Sequence, residues 1–283
     1  MPHLIGLPRL LNAAEELERD EPTSEDLRLL LHGGSSLGGA RPKAHVLDNE
    51  GRLAIAKLPA PKADDWDVIR WEEVALTLAE DAGITVAEHD LHVIENRPVL
   101  LVRRFDRDGE TRIGYVSAMT MLQAKDGEQG SYLEIGQAIE ERSPDAGADL
   151  RELWRRIVFT ILISNTDDHL RNHGFLRKST SGWSLSPAFD LNPNPEGEAK
   201  HLVTAIDEHE TRASIATALE VAGLFRVSPA QARTIVAEVS AATERWRVLA
   251  RAKGLGAQQI ARLEPAFEHE QSLAARELSA TGG

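Results

Sequence analysis

The chain has 283 residues, 42% apolar and 27% charged, an ordinary balance for a globular protein long enough for two lobes and a sizeable core. A formal charge of −13 opposes broad, non-specific binding to nucleic acid, because phosphate affinity comes mainly from Lys and Arg. Zero cysteines remove disulfides, thiolate zinc sites and cysteine nucleophiles; no stretch has the apolar length of a membrane span and the first residues lack a signal pattern, so a cytoplasmic protein is expected.

Residues 1–34 read as a helical segment. Leu10, Leu11, Ala14 and Leu17 mark one amphipathic stretch, Ser24, Leu27, Leu30 and Leu31 the next, with Pro22 between them. The segment packs on the rest of the chain or meets another protein. Then comes Gly33-Gly34-Ser35-Ser36-Leu37-Gly38-Gly39-Ala40-Arg41-Pro42-Lys43. Glycines let backbone amides approach phosphates closely, and the serines add hydroxyls. The stretch lacks the Lys-Ser/Thr ending of a Walker loop, and by itself reads as a flexible linker.

The next residues change that reading. Residues 44–47 and 53–58 have strand character around the turn Asp48-Asn49-Glu50-Gly51, which puts Lys57 on a strand just after the glycines. A kinase-like site keeps its phosphate-pairing Lys there; the bland alternative is a surface Lys. A helix over 65–82, stopped by Gly83, has an apolar stripe of Val68, Ile69, Ala75, Leu76 and Ala79. Glu72 falls near the middle of that stripe and Glu73 towards its edge. A carboxylate among apolar neighbours needs a partner, and Lys57 is the natural one. Two more strands, 84–94 and 99–105, join at Glu95-Asn96-Arg97-Pro98. Phe105, after the second, is either a hinge aromatic covering adenine or ordinary strand-end packing.

From Ser117 onwards helices dominate, at 131–142 and then along Leu150, Leu153, Trp154, Ile157, Val158, Ile161 and Leu162, spaced by threes and fours as on a core helix. That helix delivers the chain to Ser164-Asn165-Thr166-Asp167-Asp168-His169-Leu170-Arg171-Asn172-His173. A short hairpin, 174–177 with 183–186, returns Asp190 beside Asp167. Asp and Asn supply the hard oxygens that Mg²⁺ takes together with phosphates and water, so phosphoryl transfer is the expected chemistry. In kinase-type sites one Asp accepts the attacking hydroxyl's proton, an Asn five residues later binds metal, and an Asp after a hairpin binds the bridging metal. Asp167, Asn172 and Asp190 follow that order. The competing readings are a polar loop whose side chains cap turns, and zinc on His169 and His173; the histidines come after the end of the apolar periodicity and run into Gly174, which disfavours the helix that zinc spacing needs.

Asn192-Pro193-Asn194-Pro195-Glu196-Gly197 must be loop, and helices are expected at 212–222, 229–252 with Ser228 as cap, and 257–278, with Trp246 and Phe267 in the core.

These motifs resemble the HipA family of bacterial serine/threonine kinases, the toxins of HipA-HipB toxin-antitoxin pairs. The matching pieces are Ser36-Leu37-Gly38-Gly39-Ala40-Arg41-Pro42-Lys43, Lys57, Glu72 with Leu78-Ala79, Arg104-Phe105-Asp106-Arg107, Asn165-Thr166-Asp167-Asp168-His169 with Asn172, and Pro187-Ala188-Phe189-Asp190. The resemblance implies an α+β, two-lobed protein-kinase-like fold, with a small strand-rich N-lobe at 35–107 and a larger, mainly helical C-lobe at 108–283. It implies Asp167 as catalytic base, Asn172 and Asp190 as Mg²⁺ ligands, and ATP held by Lys57, Glu72, Ser36, Gly38, Gly39 and Phe105. It also implies autophosphorylation of Ser36 or the adjacent Ser35, an aminoacyl-tRNA synthetase as substrate, and growth arrest. Implied partners are an antitoxin, HipB-like with a helix-turn-helix, and a separate amino-terminal subdomain polypeptide, since only about 35 residues precede the glycine-rich loop. Neither direct nucleic-acid contact nor a membrane is expected. The rival readings are a small-molecule phosphotransferase and a nucleotide-binding, inactive partner module; a metal-dependent hydrolase leaves Lys57 and the glycines unexplained.

Overall fold

The structure, a computed structural model, describes residues 6–19, 23–25, 41–60, 64–125, 127–197 and 199–280. The stretch with Ser35, Ser36, Gly38 and Gly39, and the second amino-terminal helix around Leu27, Leu30 and Leu31, lie outside them. The chain divides into two compact units, Met1–Glu73 with Ala87–Thr111, and Val74–Val86 with Arg112–Gly283.

The first unit is organised by strand alternation. Helix α1 (Leu7–Glu18) precedes β1 (Lys43–Leu47) and β2 (Leu53–Lys57), whose residues alternate between buried and half-buried. Ala44, Val46, Ala54 and Ala56 take one face and pack with Leu58, Val99 and Leu101 against Leu7, Leu10, Leu11 and Ala14. The small alanines allow the helix a close approach to the sheet. Arg97 fastens α1 further, its Nη1 donating to Asn12 Oδ1 at 2.8 Å and Glu15 Oε1 at 3.0 Å.

Helix α2 (Val68–Asp81) begins where Asp67 Oδ1 accepts from the Arg70 N–H at 3.0 Å, at the first residue of the apolar stripe and three residues later than the expected start at 65. It ends where Gly83 adopts φ +74°. Strands β3 (His89–Ile94) and β4 (Arg97–Arg103) complete an antiparallel sheet in the order β1-β2-β4-β3. Three boundaries differ from the expected ones, the first being the end of β4 at Arg103 rather than Phe105. The turn is only Glu95-Asn96, at φ +50° and +65°, the left-handed pair of a tight hairpin. Pro98 is therefore inside β4, tolerated because the β2–β4 pairing stops at Lys57↔Leu100. And β3 starts at His89 rather than Ile84, because Val86 is bridged to Ala188 instead. A two-residue ladder comes next, β5 (Arg107–Asp108) with β6 (Thr111–Arg112).

The second unit is mainly helical. Strand β7 (Gly114–Ser117) leads into a short α3 (Ala118–Met121) capped by Ser117, and Ser131 with Glu134 forms a capping box on α4 (Tyr132–Arg142). Helix α5 (Ala146–Leu162) is buried along Leu153, Trp154, Ile157, Val158 and Ile161, as its spacing predicts. Strands β8 (Gly174–Ser179) and β9 (Gly182–Leu185) form a hairpin that β7 extends to three strands. Gly174 is required there, since a Cβ would fall 2.4 Å from the Tyr115 ring.

The carboxyl-terminal helices are more broken than periodicity suggests. Ser214 caps α6 (Ile215–Val221), shorter than expected because Arg212 bridges His201. The expected helix over 229–252 is two, α7 (Pro229–Thr243) and α8 (Trp246–Ala252); that over 257–278 is also two, α9 (Ala257–Phe267) and α10 (Glu270–Ala280). The breaks let Trp246 stack on Phe267 at 4.7 Å, with the indole N–H on Glu268 Oε1 at 3.1 Å.

At the second break His269 Nε2 lies 3.3 Å from the Leu162 carbonyl, and burial lowers its pKa from the ordinary 6.5, Lys200 adding to the effect. A folded-state value below the unfolded one means that the unfolded chain binds more protons between the two. Stability is therefore full above pH 6.5 and declines as pH falls towards the folded value. Urea titrations are expected to show this slope, at most about 1.4 kcal/mol per pH unit from this residue, and His269→Gln to flatten it.

Candidate active site

In the first unit, alternation along β2 decides where Lys57 goes. Ala54 and Ala56 are spent on α1, so Lys57 belongs to the opposite face. Its Nζ meets Glu72 Oε1 at 2.5 Å, the Glu72 side chain 3% exposed and the Lys57 side chain 20%. The next residue, Glu73, is buried as well, with Oε2 2.7 Å from His89 Nδ1. The helical wheel leaves Glu73 at the stripe's edge; His89, the first residue of β3, closes over it. Beyond β4, Asp106 accepts from Arg104 Nε at 2.8 Å and Arg107 Nη1 at 2.6 Å. Burial alone would raise the Asp106 carboxyl, but these two arginines outweigh it and hold it below its usual range. Phe105 sits half-buried in the turn between them.

In the second unit, α5 ends at Leu162 and Ser164 turns the chain at φ +51°. The polar loop then separates its two adjacent aspartates. Asp167 is exposed, its backbone carbonyl accepting from Asn172 Nδ2 at 3.3 Å. Asp168 is buried, accepting from the Tyr132 hydroxyl at 2.5 Å with His173 Nε2 at 3.1 Å, while the Thr204 hydroxyl donates to its carbonyl at 2.6 Å. Burial acts to raise the Asp168 carboxyl; the charge and hydrogen bond of His173, with Tyr132 and His169, outweigh it and hold the pKa down. Burial, reinforced by Asp168, pushes the Tyr132 phenol well above 10.0. Nothing in a bare Asp-Asp pair announces this division.

Asp190 lies in the same unit, half-buried at φ +60°. Its approach is fixed by Arg156, buried in α5, whose Nη2 donates to the Ser186 carbonyl at 2.8 Å and whose Nε donates to Glu152 at 3.0 Å. Asp190 Oδ1 accepts from Asn192 Nδ2 at 3.2 Å, and the Asn192 N–H donates to Asn165 Oδ1 at 3.3 Å. The structure thus joins Asp167 to Asn172 directly and Asp190 to the same loop through Asn192 and Asn165. Tyr132, Arg156, Asn192 and Asn194 escape the sequence reading; alternating Asn and Pro at 192–195 is the one signal that a built turn lies there.

Among the described residues no group of three or more His, Cys, Asp or Glu side chains is arranged to hold a metal. The candidate donors are instead one carboxylate, Asp190, and one amide oxygen, that of Asn172, whose nitrogen is used in closing the loop. Both are hard oxygen donors of the kind Mg²⁺ takes together with phosphates and water, and Mg²⁺ rarely takes an all-protein cage. His173 Nε2 faces the Asp168 carboxylate at 3.1 Å.

Residues 35–246 match the family described as HipA-like C-terminal domain. A Haemophilus influenzae protein named "Putative kinase" is 24% identical over 187 residues, which is 58% of this chain and 54% of that protein. A Sinorhizobium fredii protein, also a "Putative kinase" by name, is 29% identical over 169 residues, 53% of this chain and 40% of its own length. The chain therefore spans about half the length of these relatives or less. Among solved structures, Shewanella oneidensis HipA, from a complex with HipB and operator DNA, superposes with a TM-score of 0.68 at 17% identity, over 87% of this chain and 67% of that one. The Helicobacter pylori proinflammatory kinase CtkA gives 0.62 at 14%, over 88% of this chain and 93% of that one. The likeness is one of fold: α+β and protein-kinase-like.

Proposed function

This chain belongs to the HipA-like C-terminal domain family, and we propose that it is an ATP-dependent protein serine/threonine kinase of the toxin type. In this reading Asp167 takes the proton of a Ser or Thr hydroxyl as that oxygen bonds to the γ-phosphorus and the bond to the β–γ bridging oxygen breaks, leaving ADP. Asn172 and Asp190 hold Mg²⁺, which when bound offsets charge on the phosphate oxygens. Lys57, oriented by Glu72, donates to the phosphates, as do the amides around Gly38 and Gly39, while Phe105 covers the adenine. Ser36, or Ser35 beside it, is the serine modified in autophosphorylation.

The observation that carries the reading is the bond from Asn172 Nδ2 to the Asp167 carbonyl at 3.3 Å, which sets an exposed carboxylate and an amide oxygen on one closed turn. The proposed substrate is an aminoacyl-tRNA synthetase, whose modification arrests growth. A HipB-type helix-turn-helix antitoxin is the proposed partner, favoured by the HipB and operator DNA in the Shewanella complex. With a net charge of −13 on this chain, DNA contact falls to that partner. A separate amino-terminal subdomain polypeptide is a second proposed partner. Among the described residues no helix is long and apolar enough to cross a membrane. A cytoplasmic location is part of the proposed reading, as for a kinase acting on a synthetase.

Incubating the purified protein with γ-labelled ATP and Mg²⁺ in a bacterial lysate is expected to label the protein itself and a synthetase-sized band, and EDTA to abolish both. Label in a metabolite would instead identify a small-molecule phosphotransferase. Unchanged ATP despite tight nucleotide binding would mark an inactive partner module.

A further inference from the structure

The chain passes through left-handed backbone twice around the polar loop, at Ser164 with φ +51° and at Asp190 with φ +60°. Side chains other than glycine seldom adopt this conformation, and it persists where neighbours enforce it. Residues 192–194 do so. The Asn192 N–H donates to Asn165 Oδ1 at 3.3 Å, the Asn194 N–H to the Ser164 carbonyl at 3.1 Å, and Asn194 Nδ2 to Thr166 Oγ1 at 2.7 Å. These bonds lay the segment after Asp190 along the segment before Asp167. Lys200 secures its far end, Nζ donating to the carbonyls of Asn194 at 2.9 Å and Glu196 at 2.5 Å.

We propose that Asn192 is a positioning residue for cation binding. Its backbone is fixed to Asn165 and its side-chain Nδ2 donates to Asp190 Oδ1 at 3.2 Å, so it sets the direction in which the Asp190 carboxylate faces relative to the Asp167–Asn172 turn. The inference rests on reading Asp190 as a ligand of the nucleotide's divalent cation.

The other end of the amide separates this role from ordinary loop packing. Asn192 Oδ1 is buried without a hydrogen-bond partner among the described residues, and so is Asn165 Nδ2. An orphaned buried polar atom costs about 1–3 kcal/mol, and an amide kept to knit a loop would be satisfied at both ends. Asn194 is the contrast, with hydrogen bonds at its Nδ2, its Oδ1 and both backbone groups. The one hydrogen bond the Asn192 side chain makes among the described residues goes to Asp190. Residues that orient a metal ligand in this way are worth about 10–100-fold in metal affinity.

The test is a Mn²⁺ titration of the full chain with a non-hydrolysable ATP analogue, free Mn²⁺ being read by electron paramagnetic resonance and folding by the thermal midpoint. Asn192→Ala is expected to weaken Mn²⁺ binding by about 10–100-fold. Asn194→Ala, which removes the side-chain bonds to Thr166 and Glu196 but touches neither Asp190 nor the backbone bonds to Ser164 and Lys200, should stay within about threefold of the wild type. If Asn192→Ala does not fold, Asn192→Ser, too short to reach Asp190, is expected to show the same loss. Unchanged Mn²⁺ affinity in a folded Asn192 variant overturns the proposal, as does an equal loss in Asn194→Ala. A wild-type protein that binds Mn²⁺ but labels no protein leaves this inference standing and overturns only the substrate assignment; one that binds no Mn²⁺ overturns both.

Discussion

Asp167→Ala is expected to lower phosphoryl transfer by about 10²–10⁴-fold, the range by which positioned acids and bases accelerate proton transfer, with no measurable loss of fold. The structure separates these two consequences. Asp167 is exposed, and among the described residues only its backbone carbonyl takes part in a hydrogen bond, the one from Asn172. Alanine keeps that carbonyl, so the turn carrying Asn172 survives, and the unfolding free energy from urea titration should stay within about 0.5 kcal/mol of the wild type. Initial rates of transfer from labelled ATP, measured beside the unfolding curve, decide the matter. A variant that transfers phosphate at the wild-type rate removes Asp167 from the role of base; a variant that loses activity and stability together points to damage in the loop.

What the amino-acid sequence discloses here depends on how far apart the interacting residues stand. The pairing of Lys57 with Glu72 is readable because two local periodicities meet: strand parity puts Lys57 opposite the alanines, and the helical stripe puts Glu72 among apolar side chains. Helix α5 is readable for the same reason. The Tyr132–Asp168 and Thr204–Asp168 contacts each span 36 residues, and no spacing rule reaches that far. Long-range pairing also explains the misjudged start of β3, since Val86 is claimed by Ala188, and the broken carboxyl-terminal helices, where stacking of Trp246 on Phe267 overrides continuous helical periodicity. Asn192 has the least visible signature, because Asn among prolines marks a turn whatever the turn is for.

The neighbouring aspartate should behave in the opposite way. Asp168→Ala removes the acceptor of the Tyr132 hydroxyl and the partner of His173 Nε2, both in the interior, and breaking such a buried polar set by deleting one member costs about 3–5 kcal/mol. Against a whole-protein stability of about 5–15 kcal/mol, that is enough to leave much of the variant unfolded near its working temperature. The pH dependence identifies the cause. Because the folded Asp168 carboxyl titrates below its ordinary 3.8, the unfolded chain binds more protons in the interval between, so the contribution is complete above pH 3.8 and is lost as pH falls through the folded value. Asp168→Asn, which keeps the shape but not the charge, should therefore be less stable than the wild type at neutral pH and converge on it below pH 3.8. Urea midpoints for the two proteins across that range give the answer. A stability gap that persists undiminished into acid would mean that packing, and not the carboxylate's charge, holds the loop beneath Asp167.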